Sequence, residues 1–416
     1  MRAVHRLLGD EIEHELWPVL ATVVLGFTGV FSFVAFFAVW AVAELEAPRA
    51  EMGVAFAVAA GAGILGAFGG GRLSDGVGRR PVIVGAALAQ TVCAALLLVP
   101  SLPRLGAYAV LVALSFCQPL RGATQRALIA DLVAARRLES AFGVWRVAVN
   151  LGAGLGPLAG AALVVLGWAA LHLGTTAFFA LSLLAALRLP RLAPLEPERG
   201  GAGGFLLTAL ARDRAFVLVF AGAVLAWVAY QAFETLMPIS LTREHGLAPS
   251  TWGLVFAVNP VLTVLLQLRV TRWAAPLPPA TKLALALLML GWPFLALAAR
   301  AAIPVVVTIV LVVTFAEMLW APAAETLVVE IAPPARRGAY IGAATAANWL
   351  GTAVGPAAGL AIAATFGDTP MWLFVAAAAT LGAAIYVVAG RSGTAASARP
   401  GAATERSAGV SVPVAE

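Results

Sequence analysis

The 416-residue chain predicts an all-α polytopic membrane protein: twelve transmembrane helices in two six-helix halves related by an internal repeat. Three observations lead there. The chain is 61% hydrophobic and only 12% charged, whereas soluble domains are about 45–50% apolar and about 25% charged. Stretches of about 20 residues with few or no charges recur along its length, each long enough to cross a bilayer core. Finally, residues 116–163 shifted by 199 fall without a gap on 315–362 with thirteen of 48 identities, among them the Gly/Pro positions of NLGAGLGPLAG (150–160) and WLGTAVGPAAG (349–359). A parallel repeat of this kind is a transporter architecture, with a site expected at the interface between the halves near mid-bilayer.

Charge clusters and Pro/Gly breaks place the spans near 17–43, 52–71, 81–100, 105–130, 142–166, 168–188, 215–241, 252–271, 282–300, 303–331, 339–366 and 370–389. An even number puts both termini on one side. The face holding the termini and the even-to-odd loops collects twenty of the 27 basic residues; the other holds Arg49, Arg104, Arg243 and Arg300, and Arg121, Arg126 and Arg146 fall within spans. The rich face is therefore cytoplasmic. The expected organisation is a cytoplasmic N-terminal segment (1–16), an N-terminal six-helix half (17–188), a Pro/Gly/Arg-rich cytoplasmic linker ending in a short surface helix (189–214), a C-terminal half (215–389) and a tail (390–416) too poor in apolar residues to pack. The charged start, without an evident cleavage site, reads as retained.

Several functions lose support. The net charge of +6 lies in loops rather than on a patch, so no nucleic-acid partner is expected. Cys93 and Cys117 sit inside apolar runs with no metal-ligand spacing and read as small core residues. His5, His14, His172 and His245 fall near span ends or in loops, leaving no metal or His-base site at membrane depth, so neither an intramembrane enzyme nor a metal or cofactor is expected. No Walker phosphate loop occurs, and the single lysine, Lys282, has no glycine before it. Transport would draw on an ion gradient.

GRLSDGVGRR (71–80) resembles the loop signature of the major facilitator superfamily, Gly-x-Leu-(Ala/Ser)-Asp-(Arg/Lys)-x-Gly-Arg-(Arg/Lys), at Gly71, Leu73, Ser74, Asp75, Gly78, Arg79 and Arg80, and departs from it at Gly76. GAGLGPLAG resembles the helix-five motif of drug exporters that run as antiporters, at Gly152, Gly156, Pro157 and Gly160, and Arg121 sits where that group often has a helix-four arginine linked to proton coupling. The resemblance spans residues 17–389 and implies the major facilitator fold and the twelve-helix drug:proton antiporter group.

Arg79 and Arg80 serve orientation by the positive-inside rule, with Gly76 and Gly78 turning a short loop and Pro81 suited to a first helical turn. Asp75 does not help a positive-inside corner. A carboxylate there suits docking on a positive helix end, and the resemblance implies the start of helix eleven near Gly338 to Gly342, with Gly71 allowing the approach. Asp131 and Glu330, equivalent under the repeat, are expected to pair with Arg79 or Arg80 and with Arg272, as latches that break and remake. The helix-five glycines serve tight packing, which can itself seal a leak path. Trp40, Trp168, Trp252, Trp292 and Trp372 lie near span ends as interface anchors.

Gln118, Gln125, Gln231, Trp227, Tyr230, Asn259 and Trp320 are the candidates for lining a substrate cavity, plain packing being the other reading of the aromatic ones. Glu317, near the middle of the most apolar span, is the leading proton-carrying acid: a central charge costs about 2.5–3.5 kcal/mol of insertion and burial raises a carboxyl pKa. Glu234 competes for that role, and Arg121, on one face with Gln118 and Gln125, tunes a charged site in the other half. Packed hydrogen-bonding roles for Glu317 and Arg121 stay open. The expectation is a monomeric secondary active transporter of the cytoplasmic membrane, exporting amphipathic, drug-like molecules against protons; uptake of a small polar metabolite is the alternative.

Overall fold

A computed structural model describes residues 15–100, 102–192, 213–243, 258–299 and 302–397. Among these residues twelve helical elements follow one another: α1 (Leu16–Leu45), α2 (Arg49–Val77), α3 (Arg79–Leu96), α4 (Arg104–Leu132), α5 (Leu138–Val164), α6 (Trp168–Ala186), α7 (Arg214–Gln231, continued through a π turn at Ala232–Leu236 into Met237–Arg243), α8 (Val258–Ala274), α9 (Pro279–Gly291, continued through a 3-10 turn to Leu295–Ala299), α10 (Ile303–Ile331), α11 (Arg337–Phe366) and α12 (Asp368–Ser397). Ten of them are long and apolar enough to cross a membrane. The other two are α3, which starts on Arg79 and Arg80, and α8, whose described part is 17 residues long.

The 199-residue repeat extends to the element boundaries. α4 and α10 are both 29 residues long and start and end 199 residues apart, the 3-10 turns Ala135–Arg137 and Pro334–Arg336 follow with the same spacing, and so do the starts of α5 and α11. Packing divides the chain into two compact units. The first comprises residues 1–199 together with Ala332–Ala346, the start of α11; the second comprises Gly200–Ile331 and Ala347–Glu416. Within the first unit α2 packs on α4, α3 on α4 and α6, and α1 on α5 and α6; within the second the repeat-equivalent pairs form, α8 on α10, α9 on α10 and α12, and α7 on α12.

Small residues set the closest approaches. A Cβ on Gly152 or Gly156 of α5 would press on Phe27 or Phe31 of α1, and one on Gly160 on Phe36. In the second unit Gly351, Gly355 and Gly359 of α11 meet Trp227, Gln231 and Leu236 of α7 in the same register. Pro157 and Pro356 lie inside these two helices. Exposed Leu105, Leu158, Val165 and Leu265 stand on outer faces, as suits helices solvated by lipid.

Several expectations change. The loop expected across 71–80 is helical: α2 runs to Val77, so Gly76 lies inside the helix and Gly78 alone, at φ 98°, makes the corner. Hydrogen bonding within a helix holds those residues more economically than an open loop at the membrane surface. Trp40 and Trp372 are not interface anchors but buried, Trp40 edge-on to His172 and Trp372 stacked on Phe294. Trp292 is 54% exposed and lies in the 3-10 turn inside α9 rather than at its end, its Nε1 donating to Thr380 Oγ1 at 3.0 Å. α12 continues through Ser397, past the expected end at 389, because its Ala-rich sequence meets no proline before Pro400. Residues 1–14, 193–212, 252–257 and 398–416, with the N-terminal segment, most of the linker, Trp252 and the end of the tail, lie outside the described residues.

Candidate functional site

Three polar assemblies stand out against the apolar helices. The first surrounds the Gly78 corner. Gly78 N–H donates to Ser74 O at 3.1 Å and the chain reverses there, bringing Arg79 back against the end of α2. Arg79, buried, donates from Nη1 to Asp75 Oδ1 (2.5 Å) and Ser74 Oγ (2.8 Å), and from Nε to Asp131 Oδ2 (2.9 Å) at the end of α4. Asp131 also accepts from Arg337 Nη1 (3.2 Å) through its other oxygen. Two carboxylates and two guanidiniums thus form a chain of no net charge. Asp75 faces the start of α11, accepting from Gly338 N (3.0 Å) and Ala339 N (2.8 Å) and so satisfying two of the unbonded amides at the positive end of that helix.

Close contact of backbones makes this possible. A Cβ on Gly71 would overlap the Gly338 carbonyl oxygen, and one on Gly338 would meet Asp75 Oδ1 at 2.6 Å and Arg79 Nη1 at 2.7 Å. Arg80 stands apart from the chain and donates to Leu187 O at 2.8 Å. Deeper in the same unit, Arg126 lies 5.0 Å over the Trp145 ring and donates to Thr345 Oγ1 of α11. Glu330, the repeat mate of Asp131, is exposed at the end of α10.

A second assembly occupies the middle of α4 in the first unit, and a separate third one the repeat-equivalent middle of α10 in the second. In the first unit Arg121 is fully buried, its guanidinium lying against Gly26 of α1, where a Cβ would overlap it. It donates to Ser182 Oγ (3.0 Å) and Gln118 Oε1 (3.1 Å). Gln118 Oε1 also accepts from Gln90 (3.1 Å), Ser182 donates to Thr22 O (3.0 Å), and Gln125 donates to Thr22 Oγ1 (2.8 Å). Among the described residues no carboxylate stands within ion-pair distance of Arg121, and its Nε has no hydrogen-bond partner.

In the second unit the residue 199 positions after Gln118 is Glu317. It too is fully buried, and its Oε2 accepts from Asn259 Nδ2 (2.8 Å) on α8 and Tyr230 Oη (3.1 Å) on α7. Asn259 Nδ2 is also 3.1 Å from Thr314 Oγ1, one turn before Glu317. Tyr230 in turn belongs to a run of aromatic rings: Trp227 is edge-on to Tyr230 (5.5 Å) and to Trp320 (5.0 Å), and Tyr230 lies 6.0 Å from Phe233. Glu234 sits apart, exposed on the π turn of α7, accepting from Gln231 Nε2 (3.0 Å), which also reaches Thr352. Of the cavity candidates, Tyr230 and Asn259 thus gather at Glu317, Trp227 packs on Tyr230 and Trp320, Gln118 joins Arg121, Gln125 is tied to Thr22, and Gln231 belongs with Glu234.

Sequence reasoning missed Thr22, Ser182, Arg337 and Gly26 as members of these assemblies. Of these only Arg337 carried a signal, since a basic residue at the first position of α11 opposes the helix dipole and calls for a nearby acid.

The sequence profile of the Major Facilitator Superfamily matches residues 19–356 and again 219–412. The chain belongs to that superfamily of membrane transporters. It is 23% identical over 376 residues to the uncharacterized MFS-type transporter YqjV of Bacillus subtilis, covering 86% of this chain and 88% of the relative. It is 24% identical over 351 residues to the Na(+), Li(+), K(+)/H(+) antiporter of Planococcus maritimus, covering 76% and 82%. Among solved structures, that of the human organic anion transporter MFSD10 (TETRAN) is similar with a TM-score of 0.77 at 18% identity, over 90% of this chain and all of that one. The likeness to that structure speaks for the fold alone.

Proposed function

We propose that this transporter is a secondary active exporter that exchanges amphipathic, drug-like organic compounds, cations foremost, for protons. The observation that carries the reading is Glu317: a carboxylate at the middle of a membrane-spanning helix, fully buried, accepting from Asn259 and from Tyr230, itself part of a run of aromatic rings. An ionised carboxylate is expensive at that depth, which suits a group that takes up and releases a proton. Aromatic faces beside a carboxylate also have the chemistry to take an organic cation, by cation–π attraction with the acid as counter-charge. Proton and cargo would then compete for one group, which gives antiport. Arg121, a fixed cation at the middle of α4, supports coupling by keeping a compensating positive charge in the transporter while Glu317 changes state. Asp75 at the start of α11 is the latch of this account, released and remade in each cycle.

A second reading is exchange of monovalent metal cations for protons. It is favoured by the Planococcus relative and by the amide and hydroxyl oxygens of Asn259 and Thr314 near Glu317.

The test is a growth and accumulation screen of cells expressing the chain against dyes and antibiotics, with and without a protonophore, beside a screen on sodium, lithium and potassium. Protonophore-sensitive exclusion of cationic dyes supports the first reading. Salt tolerance without dye exclusion transfers it to the second.

A further inference from the structure

A groove of about 410 Å³ runs along the first unit, lined by Gly69, Arg72, Leu73, Gly76, Val77, Phe116 and Leu120. It has no part in the assemblies described above. Its wall is the face of α2 that does not engage α11: Gly71 and Asp75 turn to Gly338, while Gly69 and Gly76 look into open space, with nothing within 4 Å of a Cβ at either position. Leu73, Val77 and Phe116 on its rim are 48%, 52% and 36% exposed. The groove lies on helices that cross the membrane, so this apolar surface is offered to lipid. Arg72 is its one charged lining residue, a turn and a half before the Gly78 corner and so near the end of the spanning helix. Arg72 is exposed, and a guanidinium carries its donors in a fixed fork that matches phosphate.

We infer that this groove binds an anionic phospholipid of the leaflet on the Gly78 side, one acyl chain lying along Gly69 and Gly76 and the phosphate on Arg72. The positive-inside count makes that leaflet the cytoplasmic one, where anionic headgroups add to the attraction. The lipid would sit on the back of the helix whose front carries Asp75.

The purified full-length protein, stripped of lipid in detergent, is titrated with phosphatidylglycerol or with phosphatidylcholine of the same chains, and retained lipid is counted by native mass spectrometry. The wild type is expected to keep one phosphatidylglycerol in preference to phosphatidylcholine. Arg72→Gln should weaken that retention about fivefold, the worth of one arginine near an anionic surface. Gly69→Leu should abolish it by filling the groove. Since leucine at an open helical position raises helix propensity, its unfolding temperature should not fall. Equal retention of the two lipids by the wild type, or wild-type retention by either variant, overturns the site.

Discussion

Glu317 and Gln118 occupy equivalent places in the two repeats, and the difference of one functional group between them separates a titratable position from a neutral one. Gln118 hands its carbonyl to Arg121 and Gln90; Glu317 offers a carboxylate to Tyr230 and Asn259. Tyr230→Phe removes one donor from Glu317 at little change in volume. It is expected to lower stability by about 0.5–1.5 kcal/mol and to slow proton-driven transport. Proton-driven transport at the wild-type rate would remove Tyr230 from the coupling site. At the corner, Asp75→Asn keeps an acceptor but loses the charge facing the positive end of α11, a contact worth roughly 0.3–2 kcal/mol. Normal insertion with slowed transport is expected, and normal turnover at normal expression would end the latch role.

The elements show what could be read in advance. Twelve helices, their order and the repeat were legible because apolar length, charge clustering and the Gly/Pro register are local properties of the sequence. Asp75 and the start of α11 were reachable through the loop resemblance, and Tyr230, Asn259 and Glu317 were each singled out, but not as one cluster. Their meeting depends on how α7, α8 and α10 rotate about their axes, which packing decides and periodicity in an all-apolar helix does not reveal. The corner itself was misjudged, since glycine at 76 suggests a turn and yet sits in a helix. Two substitutions of the same kind should therefore act with opposite sign. Gly76→Ala places a methyl in open space and is expected to stabilise by about 0.5–1 kcal/mol, whereas Gly338→Ala drives a Cβ into Gly71, Asp75 and Arg79 and should destabilise by about 1–3 kcal/mol. Thermal unfolding of both purified variants tests this; a matching sign would mean that α2 and α11 do not approach as described.

For the molecule as a whole, topology and coupling are the remaining claims. Single cysteines at Arg49 and Asp368, in a background without Cys93 and Cys117, should react with an impermeant thiol reagent applied to intact cells, and one at the exposed Arg136 should not. The reverse pattern would invert the membrane orientation and with it the direction of export. Coupling rests on Glu317. The most direct test is transport by Glu317→Gln in proteoliposomes with an imposed pH gradient, set beside counterflow of the same substrate with no gradient. The account predicts that proton-driven accumulation is lost while counterflow persists, because a glutamine remains as a neutral hydrogen-bonding surrogate that cannot release a proton. Proton-driven accumulation at the wild-type rate in Glu317→Gln, with its loss in Glu234→Gln, would contradict it and move the proton to α7.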